Sequence, residues 1–211
     1  QPKEHWNIDA RKATNTFLCL SEFIQTKPID FFSHFNQFIR PLKSDYQTKW
    51  IAFRDERRKK HLAYFKNIKY SDFSVFEQAL NSIPDSCQLQ ISNSSIIRYA
   101  QLFSMKATVN IFCNRGTSGI DGSTSTAIGA AYASEQKTIF ITGDLSFFYD
   151  GNGLWNSNIP KSFRIIIINN SGGGIFRIIP GPKATNAAQY FETPHCLTAE
   201  HLCKMHQLEY Q

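Results

Sequence analysis

The sequence predicts an open α/β fold, a parallel sheet flanked by helices, and three observations point to it. Short apolar runs at 87–92, 109–113, 138–142 and 163–168 alternate with stretches of helical pattern. Three of the four runs lead directly into polar, glycine-containing loops, and the first leads into Asn93 and Ser94. The run Ile165 to Ile168 shows no alternation, the pattern expected of a central parallel strand buried on both faces. Sheets of this kind bind ligands beyond the carboxyl ends of their strands, so the loops there are where function is sought.

The part before the sheet reads as helical. Phe31, Phe32, Phe35, Phe38 and Ile39 recur at helical spacing until Pro41 stops the helix. A second helix is predicted over 45–64, with Tyr46, Trp50, Phe53 and Tyr64 as its apolar stripe. Asp55–Lys59 and Glu56–Lys60 are favourable i,i+4 pairs on its wet side. A third spans 72–82, turning Phe73, Phe76 and Leu80 inward, and Pro84 ends it. The domain reading is residues 1–44 as tail and linker of one domain and 45–211 as a second.

The bulk composition narrows the class. With 211 residues, 42% hydrophobic and 18 Phe, the chain has ample material for a core. A net charge of +6 leaves open nucleic acid, a membrane surface or small anions. Arg54 and Arg57 to Lys60 supply five of those cations on one helix, which reads as a solvated face. The five cysteines are scattered and include no C-x-x-C pair, so free thiols in a reducing compartment are expected. No apolar run is long enough to span a bilayer, and the first residues resemble no signal peptide, so a cytoplasmic location is expected.

Two loops carry the chemistry. Gly143-Asp144-Leu145-Ser146 ends the run 138–142, where glycine admits a phosphate oxygen and an aspartate can ligate Mg²⁺. Asn169-Asn170-Ser171-Gly172-Gly173-Gly174 ends the next run, and there Asn170 offers a neutral carbonyl oxygen beside a main-chain one. Asn170 follows Asp144 by 26 residues, one helix-plus-strand crossover, so adjacent strand ends would bring both groups around one octahedral ion. Either motif alone reads as an ordinary turn, whereas the pair at crossover spacing points to a site.

GD followed by NN at this distance resembles the thiamine-diphosphate signature. The text NRGTSGIDGSTSTAIGAA (114–131), GDLSFFYDGNGLWN (143–156) and INNSGGGIFRIIPGP (168–182) closely resembles the 2-succinyl-5-enolpyruvyl-6-hydroxy-3-cyclohexene-1-carboxylate synthase family of menaquinone (vitamin K2) biosynthesis. The resemblance implies a diphosphate-type thiamine-binding domain, incomplete at its C-terminus, with thiamine diphosphate and Mg²⁺ or Mn²⁺ as cofactors. By that resemblance Asp144, Asn170 and the main chain of Gly172 match the metal ligands. Gly143, Leu145, Ser146, Gly173 and Ile175 belong to the cofactor-binding loops, and Ile120 matches the bulky residue that props the cofactor into its bent shape. Ser94, Arg98, Arg115 and Phe176 match substrate contacts, and Arg98, Arg115, Ile120 and Phe176 are carried over as catalytic positions. The implied substrates, 2-oxoglutarate and isochorismate, are dianions, which suits arginines at strand ends. The implied reaction decarboxylates 2-oxoglutarate and adds the succinyl carbanion to isochorismate, in a homodimer or dimer of dimers with sites between subunits and without nucleic acid or membrane.

Leu145 departs from the GDG of the wider signature, and Ser171 stands where some relatives have a third Asn; neither change removes a ligand. The nearest rivals are an acetohydroxyacid synthase or a 2-keto acid decarboxylase, against which the R-G-T-S-G-I-D-G loop speaks. From another class, the rival is a non-catalytic anion- or nucleic-acid-binding module using the basic helix. The six histidines show no ligand spacing and read as structural; Phe147, Phe148 and Trp155 read as core, and Asp150 as a helix-face or loop residue. The family's glutamate that activates the aminopyrimidine comes from an N-terminal domain, which nothing in 1–211 resembles, and a further helix and strand are expected after Tyr210. The chain by itself is therefore expected to be inactive: given thiamine diphosphate and Mg²⁺ it should release no CO₂ from 2-oxoglutarate, and measurable release would refute this.

Overall fold

A computed structural model describes residues 2–211, which fall into two compact units, one ending at His61 and the other starting at Leu62. The division lies inside a helix, later than the boundary read at 44/45. In the first unit, β1 (His5–Ile8) and β2 (Leu20–Ile24) form a parallel pair. The hydropathy pattern there is too weak to announce these strands, and the sequence reading missed them. Helix α1 (Pro28–Phe35) begins with Pro at its first turn, where the missing N–H costs nothing. It closes before Pro41, because Gln37 and Phe38 donate to His34 and Phe35 in a tight terminal turn.

Helix α2 (Tyr46–Phe65) has no buried residue. Its predicted apolar stripe lies exposed, from 46% at Phe53 to 68% at Tyr46, so periodicity located the helix without giving it an inward face. Three of its cations are engaged locally: Lys60 pairs with Glu56, Arg57 stacks over Phe53, and Asp55 is taken by Arg54 rather than by Lys59. Arg54 wins because its guanidinium gives Asp55 Oδ1 two N–H donors, at 3.0 and 2.8 Å.

The second unit is a three-layer α/β sandwich. Four parallel strands, β3 (Gln88–Ile91), β4 (Asn110–Cys113), β5 (Thr138–Gly143) and β6 (Arg164–Ile168), run in the order β4-β3-β5-β6. β5 alternates strictly between the two faces. Ile139 and Ile141 point to a core with α3 (Asp72–Ser82) and α4 (Ser95–Ala100), while Phe140 joins α5 (Ser123–Tyr132), α6 (Asp144–Tyr149) and Cys203 of α8 (Glu200–Met205) on the other. β3 is buried on both faces even at Gln88 and Gln90. Those amides stay satisfied because Gln90 donates to Gln88 Oε1, and Gln88 donates to Thr138 Oγ1 and to the Ala130 carbonyl.

The run read as a central strand forms β6, which pairs with β5 among the described residues; Ile165 to Ile167 are half-buried and Ile168 is buried. Trp155, read as core, is 84% exposed, since the 3₁₀ turn Gly151–Leu154 delivers Leu154 inward and leaves its neighbour outside. Phe147 is buried and Phe148 packs at the core's margin.

All five cysteines are free, and burial pushes the thiols of Cys87, Cys113 and Cys203 up. Phe76, fully enclosed and stacked on Tyr99, is the largest side chain in the core beneath α3. Phe76→Ala should cost about 3–5 kcal/mol in urea denaturation; a loss below about 1 kcal/mol would show that the core is not closed there.

Candidate functional site

The sheet order reverses between β3 and β5. From β3 the chain goes outward to β4 on one side, then returns to β5 on the other. α4, which follows β3, and α6, which follows β5, pack into opposite cores, so the loops leading to them part. A crevice opens at such a point by geometry alone. It forms a cavity of about 540 Å³, lined by the ends of β3, β5 and β6 and by the segment around Tyr190 to Thr193. That is an ordinary size for a small-molecule site.

Asp144 forms its floor. It is 2% exposed, and both oxygens are held by main-chain donors: Leu145 N on Oδ1 at 2.7 Å and Gly172 N on Oδ2 at 3.0 Å. The two loops picked out from the sequence therefore meet. Gly172 is required in this place. Its φ is +145°, and a Cβ would stand 2.5 Å from the Glu192 carbonyl oxygen. That closeness arises because the segment after α7 (Ala188–Glu192) straps the loop: Gly173 N donates to Glu192 O and His195 N to Ser171 O.

Asn170 lies beside this contact and donates through Nδ2 to Asp72 Oδ2 at 2.6 Å. The remaining cavity walls are tied to one another. Ser146 Oγ donates to the Ile120 carbonyl, Asn93 Nδ2 to the Gly119 carbonyl, and Arg115 Nη1 to Asn93 Oδ1. Ser94 holds φ +71° and ψ −134°, a conformation that glycine prefers, and its carbonyl accepts from Arg98 Nη1 at 2.8 Å. Phe176 packs its ring 5.1 Å from Phe191, and Ile175 is buried behind it.

Of the residues singled out from the sequence, Ser94, Arg98, Ile120, Gly143, Asp144, Leu145, Ser146, Asn170, Gly172, Gly173, Ile175 and Phe176 all line this one cavity. Arg115 does not; it is exposed and reaches the wall only through Asn93. Asp150 proves to be a buried cap, accepting from Ser125 N and Oγ at the start of α5, which occupies its carboxylate.

Sequence reasoning missed two participants. Asp72 comes from α3, and nothing in its local text marks it. His195 places Nε2 3.2 Å from Asp144 Oδ2, yet that nitrogen has no hydrogen-bond partner because the angle is poor, so it is an electrostatic neighbour only. His195 Nδ1 accepts from Leu197 N, so in the neutral ring the proton sits on Nε2, although its N–H is not aimed at the Asp144 carboxylate. A histidine without spacing to other ligands gives no sequence signal, and only the strap brings it here.

The donor set suits a hard cation. Asp144 presents a buried carboxylate with lone pairs to spare, and no hydrogen bond reaches Asn170 Oδ1 among the described residues. Gly172 O accepts from Gly174 N and, among the described residues, from no other donor. All three are oxygens, as Mg²⁺ and Mn²⁺ prefer. Among the described residues no three His, Cys, Asp or Glu come together, so an ion here would rest on this mixed set.

No protein-family model matches the chain. Curated relatives match it throughout: the 2-succinyl-5-enolpyruvyl-6-hydroxy-3-cyclohexene-1-carboxylate synthase of Flavobacterium johnsoniae is 53% identical over 100% of the chain. Synthases of the same name from Christiangramia forsetii and Bacteroides fragilis are 49% and 39% identical over 100% and 91% of it. By sequence, the chain belongs to this synthase family. It spans 38%, 37% and 34% of the length of these three relatives. Among the described residues no helix is long and apolar enough to cross a membrane.

Gly172→Ala would force a side chain onto the Glu192 carbonyl and a strained backbone. It should lower stability by about 1–3 kcal/mol, read from the urea midpoint; an unchanged midpoint would show that the strap yields freely.

Proposed function

We propose that this chain carries the diphosphate- and metal-binding half of a thiamine-diphosphate site. The observation behind this reading is the contact of Asp144 with the Gly172 amide, beside Asn170, at the floor of the cavity. Asp144, Asn170 Oδ1 and the Gly172 carbonyl would hold Mg²⁺ or Mn²⁺, and the glycine-rich loops would admit a diphosphate to it. Gly143 fits this role: its φ is negative and a Cβ would meet Ile96 only at 3.5 Å, so the protein's own packing does not demand glycine there. When bound, the thiamine ring supplies the carbanion chemistry that a 2-oxo acid decarboxylation needs.

The rest of the work falls to this chain's residues. Ile120 would prop the cofactor, Ile175 and Phe176 would keep water from the reacting face, and Ser94 with Arg98 would receive a substrate carboxylate. Arg115 would act at the rim, with Asn93 as the group that aims it. With its relatives' name, this supports a synthase that decarboxylates 2-oxoglutarate and adds the succinyl unit to isochorismate, in cytoplasmic menaquinone biosynthesis. In this proposal a pyrimidine-binding domain completes the site from the partner subunit of a homodimer or dimer of dimers, without nucleic acid or membrane.

Calorimetric titration of the intact protein with thiamine diphosphate, with and without Mg²⁺, tests the reading. Wild type should bind in a Mg²⁺-dependent way, and Asp144→Ala should bind at least ~10–100-fold more weakly. Equal binding by the two proteins would remove it.

A further inference from the structure

Asn170 enters the cavity wall in one orientation, and a residue 98 positions earlier in the chain decides it. A carboxylate can only accept hydrogen bonds, so the amide atom facing Asp72 at 2.6 Å has to be the nitrogen. Gly174 leaves that bond room: a side chain there would place its Cβ 3.2 Å from Nδ2, against 4.0 Å from Oδ1. The amide nitrogen is thus committed to Asp72, while the oxygen of the same planar group is the atom left for the cavity that Asn170 lines.

Asp72 is itself held in place. It is the first residue of α3, an 11-residue helix whose start is pinned by Ser74 Oγ, which accepts from Ser71 N at 3.0 Å and donates to Ser71 O at 2.8 Å. An anion in a first helical turn is favoured by the unpaired N–H groups there. α3 packs on the core through Phe76 and Leu80, which fixes the carboxylate relative to the strand ends.

We propose that Asp72 is a positioning residue for the metal site. It locks the Asn170 amide with Oδ1 toward the ion, and its charge polarises that amide so that Oδ1 becomes a better donor to a hard cation. The inference rests on the diphosphate-site reading of Asp144 and Asn170. It adds that the affinity for the ion is set partly from α3, which contributes no ligand. Without Asp72 the amide is free to rotate and present NH₂ to the cation, a repulsive contact.

The test is Mn²⁺ binding to the intact protein with thiamine diphosphate present, followed by electron paramagnetic resonance, with Mg²⁺ affinity by competition. Asp72→Ala should raise the Mn²⁺ dissociation constant ~10–100-fold, with the metal-free protein still folded by circular dichroism at the titration temperature. A merely structural role would shift the unfolding midpoint and leave the dissociation constant alone. A constant within twofold of wild type in folded Asp72→Ala overturns the proposal. Should Asp72→Ala not fold, Asp72→Asn carries the test: it is isosteric but uncharged, and should weaken Mn²⁺ at least severalfold, while an unchanged constant overturns it. Asp144→Ala, run alongside, separates the two readings. If Asp144→Ala loses the ion and the Asp72 variants do not, the positioning role alone falls; if wild type takes up no ion, both fall.

Discussion

A carboxylate taken out of water costs several kcal/mol unless donors replace the water it loses. Asp144 stands at that cost: it is 2% exposed at the end of an interior strand. Its compensation comes from two main-chain amides, one of them contributed by the loop after the neighbouring strand. Much of the second unit's irregular structure follows from making that second amide available. The loop must turn back over the strand ends, which requires the positive φ of Ser171 and Gly172, and the strap from Glu192 to His195 holds the turn by two backbone hydrogen bonds.

The same economy of connection ties the other strand ends. Ser92 Oγ, after β3, accepts from Gly143 N at the end of β5, while Ser146 and Asn93 each reach the loop after β4. Loops from β3, β4 and β5 are therefore joined side chain to main chain around one crevice. Such joints hold a site in place better than exposed ion pairs do, because a buried polar group whose partner moves away is left bearing its full desolvation penalty. Both Asp144 and Arg98 line this crevice, so its wall carries charges of both signs.

Asp72 and His195 approach the two side chains of the candidate donor set from opposite directions in the chain. One comes from the helix before the sheet, the other from the strap after it. Neither has the spacing by which ligands are recognised in a sequence. Both owe their place to packing: Asp72 to the buried face of α3, and His195 to its T-shaped contact with Phe148 and its bond from Leu197 N.

The sequence by itself determined the strands β3 to β6, the crossover distance between Asp144 and Asn170, and the family to which those loops belong. These are local patterns, carried by hydropathy, glycines and short motifs, and they need no knowledge of which element lies beside which. It did not determine that the stripe of α2 is exposed, or that β1 and β2 exist as a pair. Strand order and burial are set by packing between distant elements, and hydrophobicity reports only the tendency. Tertiary structure alone also decided that Arg115 stays at the rim while Asp72 and His195 stand beside the donors, because a hydrogen bond across 98 residues leaves no periodic trace in the text.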